Sequence, residues 1–162
     1  MKITAIETFV VNTGFKTHPP WHFCAIRTHE GLTGYSEFGS EGLTRGLVGL
    51  VQDLGARLIG KDPTAVEKHY LDLYRAVRQA PYGATQQAIA GIELALWDLA
   101  GKSLGVPVWR LMGGPHRERQ RVYWSHCATY RVENWELFRV KPLRAMSDVA
   151  DCAREAAAKG YT

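Results

Sequence analysis

Residues 88–114 read AIAGIELALWDLAGKSLGVPVWRLMGG, and this stretch decides how the chain is built. Ile89, Ile92, Leu96, Leu99 with Ala100, and Leu104 recur at steps of three and four, the spacing that lines one face of an α-helix. Asp98 stands four residues before Lys102, the order in which an acid and a base pair best along a helix surface. Gly105 and Pro107 end the pattern, because a glycine takes the left-handed turn after the last helical residue and a proline cannot extend the helix. A helix is therefore expected from about Ala84 to Leu104. Glu93 and Asp98 lie five positions apart and so point about 140° away from each other. They cannot chelate one metal ion from a regular helix, and structural hydrogen bonds or a surface pair are expected of them. Trp97, one turn after Glu93, reads as a packing residue between domains.

Upstream, two further stripes have helical spacing. Leu43, Leu47, Leu50 with Val51, Leu54 and Leu58 form the first, stopping near Gly60, and Val66, Tyr70, Leu73 and Val77 form the second. Asp62-Pro63 restarts the chain between them, with Asp62 expected as the N-cap and Pro63 at the first helical position. Before Phe38 the period changes to that of strands. Residues 2–13, Phe23 to Thr28 and Thr33 to Phe38 carry β-branched and aromatic residues, and Glu30-Gly31 makes a tight turn between the last two. Three short consecutive strands predict an antiparallel meander. The run from Asn12 to Trp21 is too long and too rich in Gly and Pro for a plain hairpin loop, and loops of that kind often carry function.

Downstream, Val106 to Gly114 is a short connector ending in Gly113-Gly114-Pro115, a candidate domain boundary. Arg121 to Thr129 then reads as a strand. Ser147 to Lys159 reads as an alanine-rich helix with Ser147 as cap and Gly160 as stop, followed by a new strand from Tyr161. Strand, helix, strand is how a parallel β/α domain opens. A (β/α)8 barrel needs about 250 residues, so the second domain is expected only as its opening.

The whole chain has 162 residues, 46% hydrophobic and 22% charged, which excludes disordered and low-complexity classes. No apolar run approaches the roughly 18 residues of a membrane span, and Met1-Lys2-Ile3-Thr4 has no signal-peptide pattern, so a cytoplasmic location is expected. The net charge is +4, and the stretch from Arg110 to Arg131, with five arginines against Glu118 alone, supplies all of it. No nucleic-acid-binding motif accompanies those arginines, so a solvated or carboxylate-paired segment is the preferred reading. Cys24, Cys127 and Cys152 are an odd set with no C-x-x-C and no zinc spacing, hence small core residues.

The quoted run, with its acidic, Trp-Asp, Gly-Lys, Pro and closing Gly-Gly positions in register, resembles the N-terminal signature of the mandelate racemase and muconate lactonizing enzyme group of the enolase superfamily. The opening Met1-Lys2-Ile3-Thr4-Ala5-Ile6-Glu7, the segment Glu30-Gly31-Leu32-Thr33-Gly34-Tyr35-Ser36-Glu37 and Ile59-Gly60-Lys61-Asp62-Pro63 are similar to that group's landmarks too. The resemblance implies an α+β capping domain over residues 1–113, a three-stranded antiparallel meander followed by helices. Residues 114–162 would be the opening βα unit of a (β/α) TIM-like barrel, truncated here. It also implies abstraction of the proton next to a carboxylate, with Mg2+ holding the resulting enediolate, since a divalent cation stabilises the charge that develops there.

In the group, the base and the three carboxylate metal ligands lie on later barrel strands, so no catalytic residue and no metal ligand is carried over onto this chain. Glu93, Asp98 and His126 are not promoted into those roles. The resemblance does point to specificity loops that close over the barrel mouth, one around Gly14 to Trp21 and one around Gly39 to Gly42. Lys16, His18, Trp21, His22 and Glu41 are the candidate contacts to a polyhydroxy acid, against the alternative of a plain surface loop. His126 and Tyr130 would fall at the C-terminal end of the first barrel strand, where they could touch substrate, although a core or supporting role is preferred. The polar character of the first loop favours a sugar-acid dehydratase, with racemase, epimerase or cycloisomerase as alternatives. The partners expected are a small carboxylate substrate, the rest of the barrel and further copies in a homo-oligomer, with no nucleic acid and no membrane. A rival from another class is a non-catalytic capping module that binds a partner.

Overall fold

Three segments rich in β-branched and aromatic residues form strands β1 (Ile3–Val11), β2 (Trp21–Thr28) and β3 (Thr33–Glu37), and on the central strand Cys24, Ala25 and Ile26 are all buried. The structure is a computed structural model that describes residues 1–14, 20–39, 44–78, 82–125 and 128–161. The strands pair antiparallel in the order β1-β2-β3, the expected meander. Ile6 lies opposite Ile26 and Thr8 opposite Cys24, while Gly34 and Ser36 face the same two β2 residues from the other side. These positions share the covered face. Glu7, Phe9, Phe23, Ala25 and Tyr35 share the other. Gly31, at φ 84°, makes the β2–β3 turn.

Helix α1 (Thr44–Gly55) runs into a 3-10 turn at Ala56–Leu58, and α2 (Val66–Ala76) and α3 (Ala84–Leu104) follow. The α3 boundaries are those the spacing predicts, and Gly105 at φ 66° is its left-handed stop. Ile89, Ile92, Leu96 and Leu99 are completely or almost completely buried, because α3 lies between the sheet on one side and α1 and α2 on the other. The helix lies tight against the sheet. A Cβ on Gly34 would sit 2.2 Å from the Ala95 carbonyl oxygen and 2.7 Å from Leu99 Cγ, so β3 can pass under α3 only where it has no side chain. Ser36 Oγ donates to the Gly91 carbonyl one turn earlier on the helix.

Two caps differ from expectation. Helix α2 begins at Val66, not at Pro63, because Asp62 Oδ1 is engaged in its own turn, accepting from the Thr64 N–H (2.9 Å) and hydroxyl (2.8 Å). Buried His69 ties that turn to the helix through Nε2, which is 2.6 Å from the Asp62 carbonyl oxygen. Farther on, helix α7 (Met146–Ala158) is capped by Asp148 rather than Ser147. Asp148 Oδ2 accepts from the backbone N–H of Arg144 and of Ala145, both at 2.9 Å.

The chain divides into two compact units, one of residues 1–12 and 20–115 and one holding residues 13, 14 and 116 onward. The connector between the last α3 residue and the second unit contains a short helix α4 (Val108–Leu111). In the second unit the strand expected over Arg121 to Thr129 is not formed among the described residues. Residues 121–124 have no regular structure, and Thr129 opens helix α5 (Thr129–Glu133), followed by α6 (Trp135–Phe138) and α7. Tyr161 is likewise not in a strand. The physical reason is that a β-strand exists through its ladder, and no described segment of this unit offers one. The helix of the expected βα unit is present, and its strand is not formed among the described residues.

Candidate functional site

The antiparallel register gathers several chain ends at one end of the sheet. Val11 pairs with Trp21 where β1 stops and β2 starts, and Phe23 pairs with Glu37 where β3 stops. The segments leaving this end are the two that the sequence singles out. Their roots are held by His22, Gly39 and Gln87. His22 is only 3% exposed, its carbonyl accepts the Phe38 N–H at 2.9 Å, and its ring lies 6.2 Å from the Phe38 ring. Gly39 lies close against it, since a Cβ there would be 3.3 Å from the His22 nitrogen and 3.7 Å from Nδ1. Gln87, in the first turn of α3, donates through Nε2 to both the Phe38 carbonyl (3.3 Å) and the Gly39 carbonyl (2.9 Å). The N-terminus of α3 thus clamps the exit of β3. Trp21, beside these residues, is 44% exposed with its ring 6.4 Å from that of Phe23.

Of the candidate contacts, the structure brings Trp21 and His22 to this sheet end, exposed and buried respectively. Lys16, His18 and Glu41 lie outside the described residues, as does His126. Tyr130 is not at the end of a strand. It stands in α5, where its ring stacks on Phe138 at 4.9 Å. Gln87 was not singled out from sequence. A glutamine in a first helical turn is ordinary, and only the fold reveals which carbonyls it reaches.

The remaining chemistry-bearing groups are engaged structurally. Asp98 Oδ2 accepts the Tyr35 N–H (2.8 Å) and pairs with Lys102 Nζ (2.5 Å), and Lys102 also donates to the Thr33 carbonyl (2.8 Å). Glu93 Oε1 accepts from Trp97 Nε1 at 3.3 Å. Burial pushes the Cys24 thiol up to about 12, so it stays protonated and is a poor nucleophile. In the second unit, Lys141 and the two N–H donors at the start of α7 hold the Asp148 carboxyl down at about 2. Among the described residues no group of three His, Cys, Asp or Glu could hold a metal ion, so the donor set present does not fit Mg2+. No described helix is long and apolar enough to cross a membrane.

Comparison with known proteins places the fold. A D-galactonate dehydratase from Variovorax paradoxus (strain S110) is 41% identical over 123 residues, which are 76% of this chain and 31% of that protein. A proposed L-alanine-DL-glutamate epimerase from Burkholderia xenovorans strain LB400, solved with magnesium and fumarate, superposes with a TM-score of 0.75 at 34% identity, covering 83% of this chain and 33% of that one. A proposed galactarate dehydratase from Agrobacterium radiobacter, solved with sodium and L-malate, superposes with a TM-score of 0.70 at 32% identity, covering 76% and 30%. The chain spans about a third of the length of each. Residues 5–113 match the profile of the mandelate racemase / muconate lactonizing enzyme N-terminal domain, and the chain belongs to that family.

Proposed function

We propose that this chain is the cap-bearing part of a Mg2+-dependent sugar-acid dehydratase that removes the proton α to a carboxylate. In this reading residues 1–113 are the capping domain and residues 114–162 open the barrel. The observation that carries the reading is the 41% identity to a D-galactonate dehydratase over three quarters of the chain. The metal would stabilise charge on the substrate carboxylate. The described residues hold no site for it, and no step is routed through it here.

The work of this chain's own residues is to shape and close the substrate end. His22, Gly39 and Gln87 hold the roots of both segments in fixed positions, so contacts from them meet the substrate without a further ordering cost at that point. Trp21 supplies a flat apolar wall, and Lys16, His18 and Glu41 supply charge and hydrogen bonds suited to a polyhydroxy acid. A second reading, racemisation or epimerisation, is favoured by the superposition on the proposed epimerase.

The test is a panel of aldonic and aldaric acids, D-galactonate included, and L-alanine-DL-glutamate dipeptides, incubated with the complete protein with and without Mg2+. Water loss from a sugar acid, giving a keto-deoxy acid only when the metal is present, supports the proposal. Turnover confined to dipeptides or aromatic acids overturns it. Intact mass measured on the same sample fixes what was assayed, and a polypeptide of 18.1 kDa is expected to show no turnover.

A further inference from the structure

Phe38 and Gly39 lie just past the last β3 residue, so their carbonyls stand outside the β2–β3 ladder. Phe38 is buried, and a backbone carbonyl withdrawn from water needs another partner. Gln87 supplies it for both residues. A primary amide carries two hydrogens, and Nε2 stands 3.3 Å from the Phe38 carbonyl oxygen and 2.9 Å from that of Gly39. The place of Gln87 on α3 makes this reach possible. Gln87 and Gly91 are four residues apart and share a helix face. A Cβ on Gly91 would sit 2.5 Å from the Phe38 Cβ, so Phe38 is seated directly on α3 one turn beyond Gln87. Phe38 in turn donates its N–H to the His22 carbonyl at 2.9 Å. The His22 ring adds no polar grip of its own, since it is buried and its Nδ1 has no hydrogen-bond partner. Among the described residues no other α3 side chain hydrogen-bonds to this exit.

We infer that Gln87 is a positioning residue that couples the start of β2 to the exit of β3, so that Trp21 and Gly39 respond as one unit in selecting among polyhydroxy acids. The chain of contacts runs from the Gln87 amide to the Phe38 and Gly39 carbonyls, from the Phe38 N–H to the His22 carbonyl, and from His22 to its neighbour Trp21. Both amide hydrogens are spent on backbone, so Gln87 acts on substrate only through the groups it holds. Loss of the donor frees the two carbonyls and with them the direction in which the chain leaves Gly39. It also loosens the bond that fixes His22, and Trp21 then loses its set position. The substrate class rests on the sugar-acid reading above, whereas the coupling does not.

Two variants of the complete protein separate the donor from the bulk of the side chain. Gln87→Met keeps a long flexible chain without a donor, and Gln87→Lys keeps a donor. Should the methionine variant fail to fold, Gln87→Glu removes the donor at unchanged shape. In residue-resolved amide exchange, Gln87→Met should speed exchange of the Phe38 amide at least about tenfold while Ile92 and Leu96 stay protected, and Gln87→Lys should restore most of the protection. In kinetics on the panel of acids, Gln87→Met should raise KM for the best acid at least about tenfold with kcat within about threefold, and Gln87→Lys should reverse this. The kcat/KM ratio between the best acid and the next should narrow as well. Trp21→Ala should then cost less in the Gln87→Met background than in the unaltered protein, the sign of coupled residues. A folded Gln87→Met variant with unchanged KM and selectivity overturns the inference. So does a loss confined to kcat, or an equal cost of Trp21→Ala in both backgrounds. If the unaltered protein turns over no acid of the panel, the sugar-acid reading fails instead. The exchange comparison then decides the coupling alone, and unchanged Phe38 exchange in Gln87→Met overturns it.

Discussion

The first unit is held by apolar burial and the second by charge. In the first, one hydrophobic core gathers buried residues from Ile3 in β1 to Ala100 in α3, and the sheet edge at β3 is closed by two side chains of the helix that packs on it. In the second, Cys152 is the only buried hydrophobic residue among those described. There Arg131 of α5 pairs with Glu155 of α7, Lys141 pairs with Asp148 and Asp151 of α7, and Lys159 pairs with Glu155 at the C-terminal end of the same helix. Arg131 and Lys159 also lie against the Trp124 ring at 5.8 and 4.5 Å. Burial of apolar surface is insensitive to salt and mild acid, whereas exposed ion pairs are not. The family signature in residues 88–114 works as a joint between helix and sheet. Its Asp98 and Lys102 are spent on β3, which is why they are unavailable for chemistry.

The largest effect should come from crowding that joint. Gly34→Ala forces a methyl group into the Ala95 carbonyl, and a loss of about 3 kcal/mol or more is expected. Denaturant unfolding would show it, and a change below about 1 kcal/mol would mean that α3 does not lie so close to β3. Next is Asp98→Ala, which strands the Tyr35 N–H and the Lys102 ammonium at the edge. About 1–2 kcal/mol should be lost, with faster exchange of the Tyr35 amide as the specific sign.

A pH titration sharpens the contrast between units. The folded Asp148 carboxyl, held at about 2, lies below the value of about 3.9 it has in an unfolded chain. Its contribution is therefore complete above about pH 4 and is lost as the pH falls toward 2. Glu155 and Asp151 are lowered too, mainly by hydrogen bonds from Lys159 and Arg154, and act in the same direction. Amide spectra recorded between pH 5 and pH 2 should show α7 losing structure before β2 and α3, and the reverse order would break the comparison. The smallest effect belongs to Lys68→Ala on the exposed face of α2. Removing its pair with Asp72 should leave the denaturant midpoint unchanged within error, since both side chains are largely solvated.

What was legible in the sequence was local. Helix α3 was bounded correctly because periodicity, Gly105 and Pro107 all lie within its own span, and the meander was recognisable from strand composition and the Glu30-Gly31 turn. Caps were less legible. Asp62 and Ser147 are capping residue types, yet which backbone N–H a side chain reaches depends on the turn around it, and Asp148 reached where Ser147 did not. The strand expected over Arg121 to Thr129 does not form among the described residues, because β-propensity describes fitness for a ladder, and a ladder needs a neighbour. The sequence sets Trp21, His22 and Gly39 beside its two unusual loops, and the structure brings these three to one end of the sheet. The reach of Gln87 and the fit of Gly34 under α3 are not legible, because each acts across a sequence separation that no local pattern records. Gln87 reaches a carbonyl 48 residues away.

Native-state amide exchange across the chain tests the central claim most directly, that the signature residues weld helix and sheet into one cooperative core which the second unit does not share. The account predicts that amides of β2, β3 and α3 exchange together at the highest protection in the molecule, and that those of residues 121–125 and α7 exchange sooner. Equal protection in both units, or separate opening of α3 and β3, would contradict it.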